Sequence, residues 1–272
     1  GESARRLNKA DEALGYFRKV TQAPVGEHHI NAWTWILRIV SARKNADEML
    51  IAAESVLALS DDPSLLREAN VAMMRGHQAL KHLEVAYGYS EVVAADERNS
   101  PEVRTEAKAN MARNAMTLAM GRRTRKADFL ASWGEDSING AERGWITKSL
   151  TAYADLKKNG PAVLQAEASY YEALILYLHG SHTASNEEIF WLIDNLPGQG
   201  EWRFKALLIL AHNYAALDDQ FQANYTLDFI IAENFIAETV EQAKVFQHLL
   251  NTPAEDAAGP EEETITEMPT LP

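Results

Sequence analysis

The chain has 272 residues, 46% hydrophobic and 24% charged, with no cysteine and a formal net charge of −13. That apolar share supports a continuous core, and the absence of cysteine excludes disulfides, thiolate zinc sites and cysteine nucleophiles. The acidic balance argues against non-specific nucleic-acid binding and against docking on an anionic membrane surface, since both need an excess of Lys and Arg.

The opening GESARRLNKADEAL has no charged-then-apolar leader. Gly1 reads as a cut end, which leaves a targeting or lipid-attachment segment upstream open. Arg6 to Val20 reads as a helix with Leu14, Phe17 and Val20 on one face, like the second helix of a hairpin. Asn31 to Arg43 carries Trp33, Ile36, Leu37 and Val40 on one stripe; Ala46 to Leu59 carries Met49, Ala53, Val56 and Leu57. Asp62-Pro63 then supplies an N-cap and a first-turn proline. Leu65 to Leu80 and Leu83 to Ala95 form the next pair, and Ser100-Pro101 starts a helix over Glu102 to Met120.

The prolines mark a beat. Pro24, Pro63, Pro101, Pro161 and Pro197 are separated by 39, 38, 60 and 36 residues. Three intervals fit one two-helix repeat, and proline suits the seam because it ends one hairpin and is tolerated in the first turn of the next. The long interval is read as an insertion at about 122–144, part short helix (Thr124 to Trp133) and part glycine-bearing loop, before a helix over Trp145 to Lys158.

From Pro161 to Ala232 two hairpins stand in tandem. Ser169, Ala173 and Leu176 fall at i, i+4, i+7, and Leu207, Ala211 and Tyr214 repeat that spacing 38 residues later. A small residue between two larger ones suits close helix packing, and a period in the thirties is the mark of a helix-turn-helix solenoid. A last helix over Ile236 to Leu250 has the polar outer face of a cap. Six acids and no base lie between Asn251 and Pro272, the composition of a disordered acidic tail. The spacing therefore predicts an all-α repeat domain over residues 1–250 and a tail over 251–272. No apolar run approaches the length of a membrane span, so direct membrane insertion is not expected.

Leu210-Ala211-x-x-Tyr214, together with Tyr153, Leu156 and Pro161, resembles the helix positions and closing proline of the tetratricopeptide repeat. The likeness covers roughly Arg6 to Ala232. The C-terminal third, with AEASYYEALILY, EWRFKALLILA and DDQFQANYTLDFII, resembles tetratricopeptide proteins of Bacteroidetes-type cell envelopes. The resemblance implies a right-handed α-α superhelix whose concave groove binds proteins or peptides, without catalysis, and it favours the cell envelope or periplasm over the cytoplasm. First-helix positions beside the packing stripe face that groove in such arrays. They correspond here to Tyr170, Leu174 and Tyr177 in one hairpin and to Lys205, Leu208 and His212 in the next; the other reading has the tyrosines filling the hairpin interface with their hydroxyls at the rim.

Other constellations are weighed against this reading. His28-His29 point to different sides of a helix and suit polar surface or a turn. His179, His182 and Glu187 gather near a helix end and would be the ligands of a metal-assisted enzyme, but the three or four ligands of a metal site are not completed at metal spacing, and histidines there suit capping of the last carbonyls. Arg122, Arg123, Arg125 and Lys126 form a basic run, read as solvated or as a dock for an acidic peptide. Trp133, Glu135 and Asp136 belong either to a merely longer linker or to a partner-specific loop. GEDSING lacks the strand-turn-helix setting of a nucleophile elbow, and no phosphate-cradling or dinucleotide fingerprint occurs. The expectation is a non-enzymatic scaffold with no cofactor, acting on a protein or peptide partner; the alternative is a structural segment of a larger envelope assembly.

Overall fold

The computed structural model describes residues 9–121, 130 and 139–252. Among them the chain is all-α, with twelve helices and no strand. In chain order these are α1 (Ala10–Thr21), α2 (His29–Ala42), α3 (Ala46–Leu59), α4 (Pro63–Ala79), α5 (Leu83–Ala95) and α6 (Pro101–Met120). After the interval come α7 (Gly140–Asn159), α8 (Ala162–Leu178), α9 (His182–Asn195), α10 (Gly200–Ala216), α11 (Gln220–Glu233) and α12 (Ala237–Asn251).

Each helix packs on its neighbours in sequence. Beyond that, the main contacts run between every second helix: α2 with α4, α4 with α6, α8 with α10 and α10 with α12. This is the pattern of a solenoid. The even-numbered first helices form one face, and α3, α5, α7, α9 and α11 form the other layer.

Local chemistry sets the boundaries. Asp62 accepts from the Ser64 amide (2.7 Å) and Ser100 from the Val103 amide (3.3 Å), each beside a proline in the first turn, as the sequence predicts. Four hairpins turn through one left-handed residue: Lys44, Lys81, Gly180 and Asp218, with φ of 56°, 58°, 73° and 61°. Only Gly180 adopts that conformation without a side-chain penalty. The repeated placement shows one turn geometry used four times.

The helix expected from Trp145 begins earlier. Asn139 and Glu142 make a reciprocal capping box, in which the Glu142 amide donates to Asn139 (3.0 Å) and the Asn139 amide donates back to the Glu142 carboxylate (2.8 Å). Gly140 and Gly144, read from the sequence as loop, therefore lie in the first turns of α7. The rest of the expected insertion, apart from Leu130, and the tail beyond Thr252 fall outside the described residues.

The expected packing stripes are present. Ala173 and Ala211 are fully buried, and Ser169 is buried beside them. In the second helices the buried residues recur in register: Ser185, Ile189 and Leu192 in α9 match Ala223, Leu227 and Ile230 in α11. Gly76 of α4 plays the small-residue part in the other half, because a Cβ there would lie 2.6 Å from a methyl of Leu50.

Candidate functional site

The first-helix face differs along its length. From α2 to α6 the first helices α2, α4 and α6 touch one another sparsely, and charged side chains span the gaps. Arg38 donates through Nε and Nη2 to both carboxylate oxygens of Glu68 (2.8 and 2.8 Å). Arg75 does the same to Glu106 (2.9 and 2.6 Å), and Arg113 to Glu167 (2.7 and 2.5 Å). These hydrogen bonds hold all three guanidiniums above their ordinary range.

The sequence separations of the rungs are 30, 31 and 54 residues. The third is longer than the second by 23, close to the excess in the proline interval, so the pairing keeps its place across that interval. The second-helix layer carries rungs of its own, Arg18 with Glu48 at a separation of 30 and Lys157 with Glu188 at 31.

Between the rungs a cleft of about 660 Å³ follows one stripe of α4, from Ser64 through Arg67, Val71 and Arg75 to Ala79. Lys44 and Glu106 stand at its sides. Glu68 and Glu106 are taken up by Arg38 and Arg75. Arg67 makes one hydrogen bond, to the Pro63 carbonyl (3.2 Å). Among the described residues neither Arg67 nor Lys44 has a carboxylate in ion-pair reach, although Arg67 interacts electrostatically with Asp62 and Asp96.

The residues predicted to line the groove lie in the other half, where α8, α10 and α12 pack directly. Tyr170 is half-buried, with ring centroids 5.0 Å from Tyr171 and 5.5 Å from Trp202. Burial raises its hydroxyl pKa. Tyr177 donates to the Leu130 carbonyl (2.7 Å) and sits 5.8 Å from the ring of His212; burial pushes its hydroxyl up to about 12. Lys205 pairs with Glu201 (2.6 Å) and lies over Trp202.

Leu174, Leu208 and His212 are 1%, 4% and 6% exposed, inside the core and not on a groove. His212 is stacked on Phe246 of α12 at 3.5 Å, and burial pushes its pKa down to about 3. The correction has a simple cause. A residue one step around the helix from the packing stripe meets solvent only if the next first helix stands off, and here it does not.

Below His212 a polar chain crosses the core. His182 Nδ1 donates to Asn213 (3.0 Å), Asn213 donates to Ser185 (2.8 Å), and Ser185 donates to the Ala173 carbonyl (2.8 Å). His182 is thus engaged in joining α9 to α10. Among the described residues no three His, Asp or Glu side chains converge as metal ligands. His29 is buried, not surface: it accepts from the Gly26 amide (3.0 Å) and donates to the Ala23 carbonyl (3.0 Å), which closes the turn before α2. Arg122, Arg123, Arg125, Lys126, Trp133, Glu135 and Asp136 lie outside the described residues.

Sequence reasoning missed Arg67, Val71 and the Arg–Glu rungs. The signal for the rungs was an Arg late in one first helix followed by a Glu about 30 residues on, recurring at Arg38, Arg75 and, with the insertion allowed for, Arg113. No protein-family model matches the chain, and no curated protein is found similar to it.

Proposed function

We propose that the chain is a non-enzymatic scaffold of tetratricopeptide-like type that holds an extended segment of a partner protein in the cleft along α4. The observation that carries the reading is the cleft itself: about 660 Å³ of open space between first helices held apart by ion pairs. Its size is that of a ligand site, and its walls combine apolar Val71 and Ala72 with unpaired cations. Arg67 and Lys44 call for a partner segment with a carboxylate, although the charge of the whole chain opposes strongly acidic proteins. The right-handed superhelix and the envelope location belong to the same proposal, on the likeness of the C-terminal repeats.

The test is site-specific capture. A photo-crosslinking residue in place of Val71 should trap a partner from the source cell, while the same residue in place of Val92 on α5 should not. Arg67→Glu should lower the affinity of the trapped partner about tenfold or more with helix content unchanged. Equal trapping from both positions would refute the cleft.

A further inference from the structure

The second-helix layer presents the same lattice position in each repeat. Counting from the first buried residue of its packing face, the outward triplet is Asp47, Ile51 and Ser55 in α3, and Glu84, Gly88 and Val92 in α5. It is Thr147, Thr151 and Asp155 in α7, and Thr183, Glu187 and Trp191 in α9. In α11 the triplet is Phe221, Tyr225 and Phe229, exposed by 76%, 65% and 44%. The inward face of α11 keeps the usual small and aliphatic residues, so the change is confined to the outside.

The stripe continues beyond the helix. Phe229 stacks on Phe204 of α10 (5.9 Å), and Phe204 stacks on Phe235 (4.9 Å), which is itself 59% exposed. Phe235 lies over Gly200, whose hydrogen leaves the ring its room: a Cβ there would come within 3.0 Å. Phe221 and Phe229 are about 12 Å apart along the helix axis, the footprint of two to three turns of a partner helix. Aromatic side chains bury 150–250 Å² each, so the exposed rings amount to on the order of 400 Å², the size of patch that marks an interaction surface.

Charge selects the occupant. Between Lys205 and Lys244 there is no Lys or Arg, whereas Asp218, Asp219, Asp228, Glu233, Glu238 and Glu241 all fall in that span. Asp228 and Glu233 stand on α11 itself, next to and one turn beyond Phe229. A second copy would bring the same charges against these, and an anionic lipid surface would be repelled. A cationic helix meets both features, since its apolar residues cover the rings while Lys or Arg pairs with the carboxylates and lies over the ring faces. We infer that the outer face of α11 is a second docking surface, which takes a basic amphipathic helix of a partner protein.

The test uses a fluorescent synthetic Leu/Lys amphipathic helical peptide and its Leu/Glu counterpart, with binding read by anisotropy on the full chain. The wild type should bind the Lys peptide and not the Glu peptide. Phe221→Ser/Tyr225→Ser should weaken the Lys peptide about tenfold or more with far-ultraviolet circular dichroism unchanged. Both positions are exposed, and Phe229 stays in its stack, so the double variant keeps its fold. Asp228→Asn/Glu233→Gln should weaken binding as well, to a smaller extent. Equal affinity of wild type and double variant for the Lys peptide, or no binding at all, would overturn the inference. So would a wild-type dimer that the double variant breaks, or binding to phosphatidylserine vesicles that it abolishes.

Discussion

The two halves of this solenoid solve one problem in opposite ways. Each must bring a first helix against the next. Between α2, α4 and α6 the spacers are Arg–Glu forks whose side chains are a third to a half exposed, and the space beside them stays open as the α4 cleft. Between α8, α10 and α12 the spacers are rings, Tyr170 and Tyr171 on Trp202 and Tyr177 and His212 toward Phe246, and the space is filled. A fork holds two backbones apart by hydrogen bonds along a line, whereas rings fill the volume between them. The residue type at the first-helix contact therefore decides where that face stays open.

The joint between the halves should be the most sensitive point. Glu167 is 2% exposed, accepts both hydrogen bonds of Arg113 and a third from Tyr153 (2.8 Å). Burial is the main reason the Tyr153 hydroxyl is held far above its ordinary pKa, so it stays a donor. Glu167→Ala strands that hydroxyl and one charge, and should cost about 2–4 kcal/mol in urea unfolding. A loss no larger than that of Glu106→Ala would break the contrast between buried and open rungs.

The filled half should also answer to acid. The pKa of His212 falls from 6.5 to about 3 on folding, because burial penalises the imidazolium. Above pH 6.5 the ring is neutral in both states. As pH drops from there toward 3 the unfolded chain takes up the proton and the folded chain does not, so stability declines by up to about 1.4 kcal/mol per pH unit. His77 of α4 is lowered too, first by burial and then by His82 alongside, so the measurement is a difference. His212→Phe, which keeps the stack on Phe246, should flatten the acid limb of the wild-type profile.

The open rungs should matter least to stability. Arg75→Ala and Glu106→Ala are each expected to cost about 1 kcal/mol or less, and a double-mutant cycle should show a coupling that shrinks as salt is raised. A coupling well above that at high salt would mean that the cleft is held as firmly as the filled half.

The helices were legible because their signals are local. Prolines at Pro63 and Pro101, the caps Asp62 and Ser100, and the alanines 38 residues apart each act within a turn or two, and the structure returns them with boundaries shifted by a few residues at most. Gly140 and Gly144 misled because glycine punctuates loops more often than helices, while the Asn139–Glu142 box in the same stretch pointed the other way. The exposure of the first-helix face was not legible. Whether Leu174 meets solvent depends on how near α10 approaches α8, where Tyr170 and Trp202 from different repeats meet, and whether Leu208 and His212 do depends on how near α12 approaches α10. The positions of Phe221, Tyr225 and Phe229 announce a helical stripe, but only the buried Leu227 and Ile230 show it to be the outside.

Interlocked rings resist bending as a solid does, since any change of angle opens a void or forces a clash. Hydrogen-bonded forks on flexible side chains behave as links in a chain: they fix spacing while leaving the angle soft. On this argument the solenoid has a stiffer C-terminal half and a more pliant N-terminal one. In the proposed complex, a partner segment entering the α4 cleft would widen or narrow it by swinging α2 and α4 about the Arg38 and Arg75 links, while the aromatic face of α11, on the stiffer half, would keep its shape. Dissolved salt, by weakening those links, should soften the first-helix face more at the fork-linked end than at the ring-filled one.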